Sequence, residues 1–491
     1  MTFVAASTPR SAPRPLFCRL GEGWPRASQI RRIPNITLRE MTKAARSSLV
    51  PLTACLTALA GAMLGTVRYE PGLHAWREHL LWVILGTSLT ITIAMGLRLW
   101  TGSSAAPPIW LTRLRVAAFV SAILSLALTS AVEAKFQSMR ERVIAAPAAE
   151  LGEVGRHVIV GVDEFPELSR LVEKGAAAGV FFTRRNVKGR NAAFLKREIE
   201  DLQRLQAARG GDKLWVTADQ EGGVVQRLSP PLPRQPALAS VVKQHKEPAA
   251  QEVAVREYAA RQGKALASLG INVNFAPVVD VDFGISDRRS GYSRISRRAI
   301  SADPAIVAQT ANCYCDALRK QGVRCTKKHF PGLGRLSSDT HVREASLGIA
   351  IDKLSAFDWV PFNTSASGNQ DWIMLGHVRV TALDPERPAS ASAAVVEKLR
   401  KDLGHTGIIV TDDFSMGAIR KSKLGVGQAA VASLNAGVDL VLVSFDPDQI
   451  YVVLDALLTA RQNGQLDKAK LRESSERLKL AAEAQAAGLA N

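Results

Sequence analysis

The chain has 491 residues, with 63 Lys and Arg against 45 Asp and Glu and a formal net charge of +18. That length holds two or three folding units, and with only five Cys it excludes a small disulfide-stapled scaffold. The charge points to nucleic acid or an anionic membrane surface, but no zinc spacing and no basic motif interleaved with aromatics is present, so no nucleic acid partner is expected.

Much of the excess lies in residues 1–47. There Arg10, Arg14, Arg19, Arg26, Arg31, Arg32, Arg39, Lys43 and Arg46 face only Glu22 and Glu40. This Pro- and Arg-rich stretch has no sustained period and is expected to be a disordered cytoplasmic tail. Met41 is a second candidate start beside Met1.

Three uncharged apolar runs follow, at 49–67, 80–97 and 116–132. At about 1.5 Å per residue each is long enough to cross a bilayer. Trp82, Trp100 and Trp110 lie near the run ends, as interfacial aromatics do. Residues 48–135 therefore read as a membrane region with three transmembrane helices and the lipid bilayer as partner. The loop between the second and third runs carries Arg98, Arg113 and Arg115 without an acid, whereas Arg68 and Arg77 are balanced by Glu70 and Glu78. The positive-inside rule puts the tail and the second loop in the cytoplasm. The chain is then a multi-pass inner-membrane protein whose remainder faces the periplasm.

Residues 136–154 read as a polar linker or helical stalk. From 155 to 491 short apolar runs alternate with helical patterns. Eight candidate strands are His157–Gly161, Gly179–Phe182, Leu214–Ala218, Asn272–Ala276, Val323–Lys327, Trp372–Gly376, Ile408–Thr411 and Asp439–Val443. Alternation with continuously apolar strands means a parallel sheet covered on both faces, and eight repeats fit a (β/α)8 TIM-like barrel. A doubly wound sheet is the alternative, but no GxGxxG follows the first strand.

Polar residues gather at the C-terminal ends of these strands, where a barrel carries its site. Asp219 and Glu221 follow the third strand, Asp280 and Arg298 the fourth, and Lys328, His329, Asp339 and His341 the fifth. His377 follows the sixth, and Asp412 and Asp413 the seventh. Several have ordinary readings: Asp280 as a turn residue, His377 as a satisfied rim histidine, Asp413 as the N-cap of the next helix. No His, Cys and carboxylate group has metal-ligand spacing, so no metal and no cofactor is expected. Cys313, Cys315 and Cys325 lie close together. Their ordinary reading is three buried thiols; in an oxidising compartment Cys325 pairs with Cys313 or Cys315.

Taken in order, these motifs carry a family resemblance: Asp219-Gln220-Glu221-Gly222-Gly223 with Gln226-Arg227, Asn272 to Asp280, Arg298 to Pro304, Lys328-His329-Phe330-Pro331-Gly332, Asp339-Thr340-His341, and Thr411-Asp412-Asp413-Phe414-Ser415-Met416. From about 155 to 478 the chain resembles the bacterial β-N-acetylglucosaminidases of glycoside hydrolase family 3. The resemblance implies a retaining exo-glycosidase acting on a GlcNAc-containing glycan, peptidoglycan-derived or related. Asp412 matches the family's nucleophile, and His341, oriented by Asp339, its acid/base. Asp219, Arg227, Arg298, Lys328 and His329 match its sugar-holding residues. The chain departs from the family pattern at Leu333, Val224 and Thr340 and keeps every proposed catalytic group. Alternatives on the same barrel are a β-glucosidase, a phosphorolytic variant, or a non-catalytic membrane-bound sugar sensor. None of residues 1–150 is covered by the resemblance.

Overall fold

The computed structural model describes residues 38–101, 107–285, 292–363 and 371–488. Apolar runs bounded by Gly and polar residues become eight parallel strands: β1 (Val158–Val160), β2 (Gly179–Phe182), β3 (Trp215–Ala218), β4 (Val273–Asn274), β5 (Arg324–Phe330), β6 (Trp372–Leu375), β7 (Ile409–Asp413) and β8 (Leu440–Val443). They close into one barrel, with β1 pairing both β2 and β8, so no strand edge is left open.

Side-chain alternation along each strand builds two cores. Ile159, Phe181, Trp215, Val273, Phe275, Trp372, Met374, Val410, Leu440 and Leu442 fill the barrel interior, and Leu478 of the last helix packs with them. The alternate residues, such as Val158, Val160, Val180, Val216, Ile373, Ile409 and Val441, face the surrounding helices. The interior is thus a packed core, and chemistry is confined to the rims.

Among the described residues three long helices stand ahead of the barrel: α1 (Leu38–Val67), α2 (Arg77–Trp100) and α3 (Ile109–Ala145). All three are long and apolar enough to cross a membrane. The disordered-tail expectation is corrected over 38–47, which opens α1; Leu, Arg, Glu, Met, Lys and Ala dominate that stretch and favour a helix. Residues 1–37 lie outside the described residues. Small side chains let the helices approach. A Cβ on Gly65 would sit 2.1 Å from Thr129 Oγ1 and one on Gly61 3.0 Å from Ser125 Oγ, and Ser88 Oγ donates to Ser125 Oγ at 3.0 Å. The helix α3 continues without a break through 133–145 and packs on the barrel helix Asp448–Gln462.

Cys315 and Cys325 form a disulfide with Cα atoms 5.3 Å apart, and Cys313 stays a buried free thiol. The ordinary reading of three buried thiols is corrected. Cys313 and Cys315 are two positions apart on helix Pro304–Arg319 and so point to different faces, and Cys315 is the one that faces β5.

Candidate active site

At the C-terminal end of β5, Lys328 is 2 % exposed, and such an ammonium needs anionic partners. Its Nζ lies 2.7 Å from Asp219 Oδ1 and 2.7 Å from Glu221 Oε1. Arg298 grips the same Glu221 with both arms, Nε to Oε2 at 2.9 Å and Nη2 to Oε1 at 2.7 Å. Burial alone would raise the Glu221 carboxyl, but Arg298 and Lys328 hold it at about 2. Two cations and two carboxylates thus form one network, joining residues after β3, β4 and β5.

His329 is ordered by Asp280. Its Nδ1 lies 2.7 Å from Asp280 Oδ2, while Asp280 Oδ1 accepts from the backbone N–H of His329 at 3.2 Å and of Leu333 at 2.7 Å. Asp280 is fully buried. It is a turn-holding residue, as its ordinary reading has it, and it also fixes the His329 ring. A carboxylate only accepts, so the His329 proton on that side sits on Nδ1 and Nε2 faces the remaining space.

The Asp339/His341 loop repeats this logic. His341 Nδ1 lies 2.8 Å from Asp339 Oδ1, whose oxygen also accepts from the His341 backbone N–H at 3.0 Å. Asp339 Oδ2 accepts from the Ser293 N–H at 3.1 Å. The His341 ring is 36 % exposed and lies 5.8 Å from the Tyr292 ring, nearly parallel to it. Backbone bonds pin the loop beside β7: the Gly417 N–H donates to His341 O at 2.8 Å, and the Ala418 N–H to Thr340 O at 3.0 Å. Close approach is possible because residue 417 is Gly; a Cβ there would lie 2.3 Å from Val342 O.

Asp412 ends β7. Its Oδ1 accepts from the Asp413 N–H at 2.8 Å, and among the described residues no ion pair occupies it. Burial pushes its carboxyl up, but the imidazoles of His329, His377 and His341 and the Asp413 N–H together hold it below its ordinary value. Lys328 and Arg298 are engaged with Asp219 and Glu221, so neither forms an ion pair with Asp412. His377 satisfies its ordinary reading, with Nδ1 2.8 Å from Ser390 Oγ and Nε2 3.0 Å from Asp413 O.

The N-cap reading of Asp413 is corrected, because another residue, three positions later, holds that place. Met416 is the N-cap of the next helix, Gly417–Arg420. Asp413 accepts from the Ser415 N–H at 2.9 Å, and also from Ser444 N, Ser444 Oγ and Phe445 N at 3.1, 2.6 and 2.7 Å. It shapes the turn leaving β8. Arg227 is exposed, and its backbone N–H donates to Asp219 O at 3.0 Å. The structure thus brings Asp219, Arg298 and Lys328 into one network and places His329 and His341 around Asp412, with Arg227 at the edge. Glu221 and Asp280 were legible only as members of motifs; their charge and burial are the signal that marks them as clamps. The carboxylate of Asp371 lies near the sulfurs of Cys315 and Cys325, but those sulfurs are bonded to each other and Asp371 pairs with Arg319 at 3.0 Å.

Residues 151–480 match the model of the glycosyl hydrolase family 3 N terminal domain. A β-hexosaminidase from Xanthomonas oryzae pv. oryzae is 34% identical over 294 residues, covering 60% of this chain and 83% of that one. The β-hexosaminidase LpqI of Mycobacterium tuberculosis is 33% identical over 288 residues, 56% of this chain and 70% of its own. Among solved structures, a family 3 β-N-acetylglucosaminidase from Paenibacillus sp. str. FPU-7 superposes with a TM-score of 0.62 at 31% identity, covering 69% of this chain and 63% of that chain.

Proposed function

The chain belongs to glycosyl hydrolase family 3, and from that premise we propose that it is a retaining exo-β-N-acetylhexosaminidase working through a covalent glycosyl-Asp412 intermediate. It is a glycoside hydrolase that acts on N-acetylhexosaminides, as the named β-hexosaminidases with which it shares the barrel support. The observation that carries the finer reading is the pairing of an uncompensated carboxylate, Asp412, with an imidazole whose Nδ1 is tied to a carboxylate, His341.

In the first step Asp412 attacks the anomeric carbon and the glycosidic bond breaks, while His341 Nε2 delivers its proton to the departing oxygen. Asp339 accepts from Nδ1 and so fixes the tautomer and orientation of the ring. In the second step the now neutral imidazole takes a proton from water, which displaces Asp412 and restores the β configuration. The Lys328, Asp219, Glu221 and Arg298 network, with His329 and Arg227, holds the sugar hydroxyls. An imidazole in place of a second carboxylic acid keeps the nucleophile free of a like charge.

Natural substrates in this reading are terminal β-linked GlcNAc residues of peptidoglycan-derived or related glycans. The three apolar helices anchor the enzyme in the inner membrane, and the charge of the loops supports a periplasmic barrel. The Cys315–Cys325 bridge is in keeping with an oxidising compartment.

The testing experiment follows hydrolysis of an aryl β-GlcNAc by proton NMR, with and without phosphate, beside the aryl β-glucoside. β-GlcNAc as the first product supports the reading. An α product, a sugar phosphate, a preference for the glucoside, or inert folded protein overturns it.

The low-lying Asp412 carboxyl sets an acid limb. A nucleophile acts only when ionised, so activity persists at pH values below the ordinary Asp value of 3.8 and is lost as pH falls through the depressed one. A kcat/KM profile on a substrate whose leaving group needs no proton isolates this limb. His329→Asn, which removes one supporting imidazole, moves the limb to higher pH.

A further inference from the structure

The catalytic rim of the barrel touches the connection between the first two apolar helices. Between α1 and α2, residues 68–76 rest on the turn leaving β8, the turn that Asp413 shapes. The His74 ring lies 5.0 Å from the Phe445 ring, and Arg185, just beyond β2, bridges His74 Nε2 at 2.6 Å and Phe445 O at 3.1 Å. Arg77 forks onto Asp446 at 2.9 and 2.8 Å and also reaches Asp448. Glu70 pairs with Arg420 of the short helix following β7. Arg77 and Asp446 are 7% and 0% exposed, so this is a buried, two-armed lock rather than a pair on a free surface.

The rest of the interface fixes the direction. Helix Asp448–Gln462 starts at the catalytic rim and returns to the opposite end of the barrel. As the chain leaves the apolar part of α3, its residues meet that helix in the same order. Phe136 stacks on Tyr69 at 4.3 Å and meets Tyr451 edge-on at 6.4 Å. Arg142 then forks onto Asp455 at 3.1 Å, and beyond α3 Glu150 lies 3.4 Å from Arg461. Positions nearest the apolar run 116–132 therefore pair with the rim, and those farther along pair with the far end. Trp76, at the rim side, is 64% exposed, placed as interfacial aromatics are. Tyr292, beside His341, is 66% exposed and offers an apolar face where a leaving group departs.

We propose that the barrel is mounted with its catalytic mouth toward the bilayer, and that its substrates are β-N-acetylhexosaminides carried on a lipid in the same membrane. This rests on the hydrolase and membrane readings above. A free glycan has to enter the gap between rim and headgroups. A lipid-borne sugar is already confined there, and confinement in one membrane acts as a raised effective concentration.

The test uses the full chain reconstituted in phospholipid vesicles, with β-GlcNAc joined by a short spacer to a dialkyl lipid. The same compound is presented either in the enzyme's own vesicles or in separate ones. Expected is kcat/KM on the order of 10²-fold higher in the shared membrane. A soluble aryl β-GlcNAc is run in parallel. If it is hydrolysed while the short-spacer lipid is inert, or turns over equally from both vesicle populations, the proposal is overturned and the hydrolase reading survives. If the aryl substrate is also inert, both fall. An independent reading of the mount comes from fluorophores at Lys423→Cys on the rim and Asn463→Cys at the far end, with quenchers on lipid headgroups. Stronger quenching at 423 supports the orientation; stronger quenching at 463 overturns it.

Discussion

Replacing Asp412 with Ala lowers the turnover of an aryl β-GlcNAc by about 10⁴-fold, which corresponds to roughly 5 kcal/mol of lost transition-state stabilisation. The expectation follows from the site: among the described residues Asp412 has no ion pair and accepts one hydrogen bond, while Asp219 and Glu221 are committed to Lys328 and Arg298 and Asp413 is filled by four hydrogen bonds. The fold should survive, since Asp412 accepts one hydrogen bond from its neighbour and cross-links no elements. Circular dichroism and a thermal melt check that point. The variant also leaves a small space beside the anomeric carbon. Azide added to it should restore turnover and yield the α-glycosyl azide, because the small anion attacks from the face that Asp412 held. Retained activity in Asp412→Ala, or azide rescue giving the β product, removes Asp412 from the nucleophile's role.

For His341→Gln the loss depends on the leaving group. With an alkyl or sugar leaving group, kcat/KM falls by about 10³-fold, within the range for loss of a general acid. With a dinitrophenyl leaving group, which departs as a stable anion, the first step is nearly unchanged. The second step, which needs a base, then becomes slow, and a burst of dinitrophenolate precedes a low steady state. Asp339→Asn shows the same pattern with a smaller effect, because Asp339 acts through the His341 ring and not on the substrate. An equal loss for both leaving groups would assign His341 to sugar binding instead.

The barrel was legible because its strands are short apolar runs set between helices, and the strand cores fall where those runs predict. The three apolar runs lie inside longer helices, Leu38–Val67, Arg77–Trp100 and Ile109–Ala145, because polar residues at their ends continue the helical pattern. The rim was legible because strand ends collect polar groups that a core does not tolerate. Which of those groups pair was not. Glu221 and Arg298 lie 77 positions apart, and Arg77 and Asp446 lie 369 apart. Such pairings depend on how the closed barrel folds the chain back, and no local period carries them. Asp413 shows the same limit. Its neighbours suggested a helix cap, while three of the four bonds its carboxylate accepts come from the turn after β8. The disulfide shows the reverse: both candidate pairings were visible, and helix geometry chose between them.

The network at the end of β5 also bears on inhibitor choice. Lys328 and Arg298 cancel Asp219 and Glu221, so in the proposed binding mode the floor that they form under the sugar is close to electrically neutral. A compound carrying a positive nitrogen in place of the anomeric carbon draws its attraction from Asp412 alone. One placing its cation out at the hydroxyl positions meets an ammonium and a guanidinium already in residence. Charge at the ring's reactive end is therefore rewarded and charge elsewhere is not, which favours compact, singly cationic sugar mimics over polycationic ones.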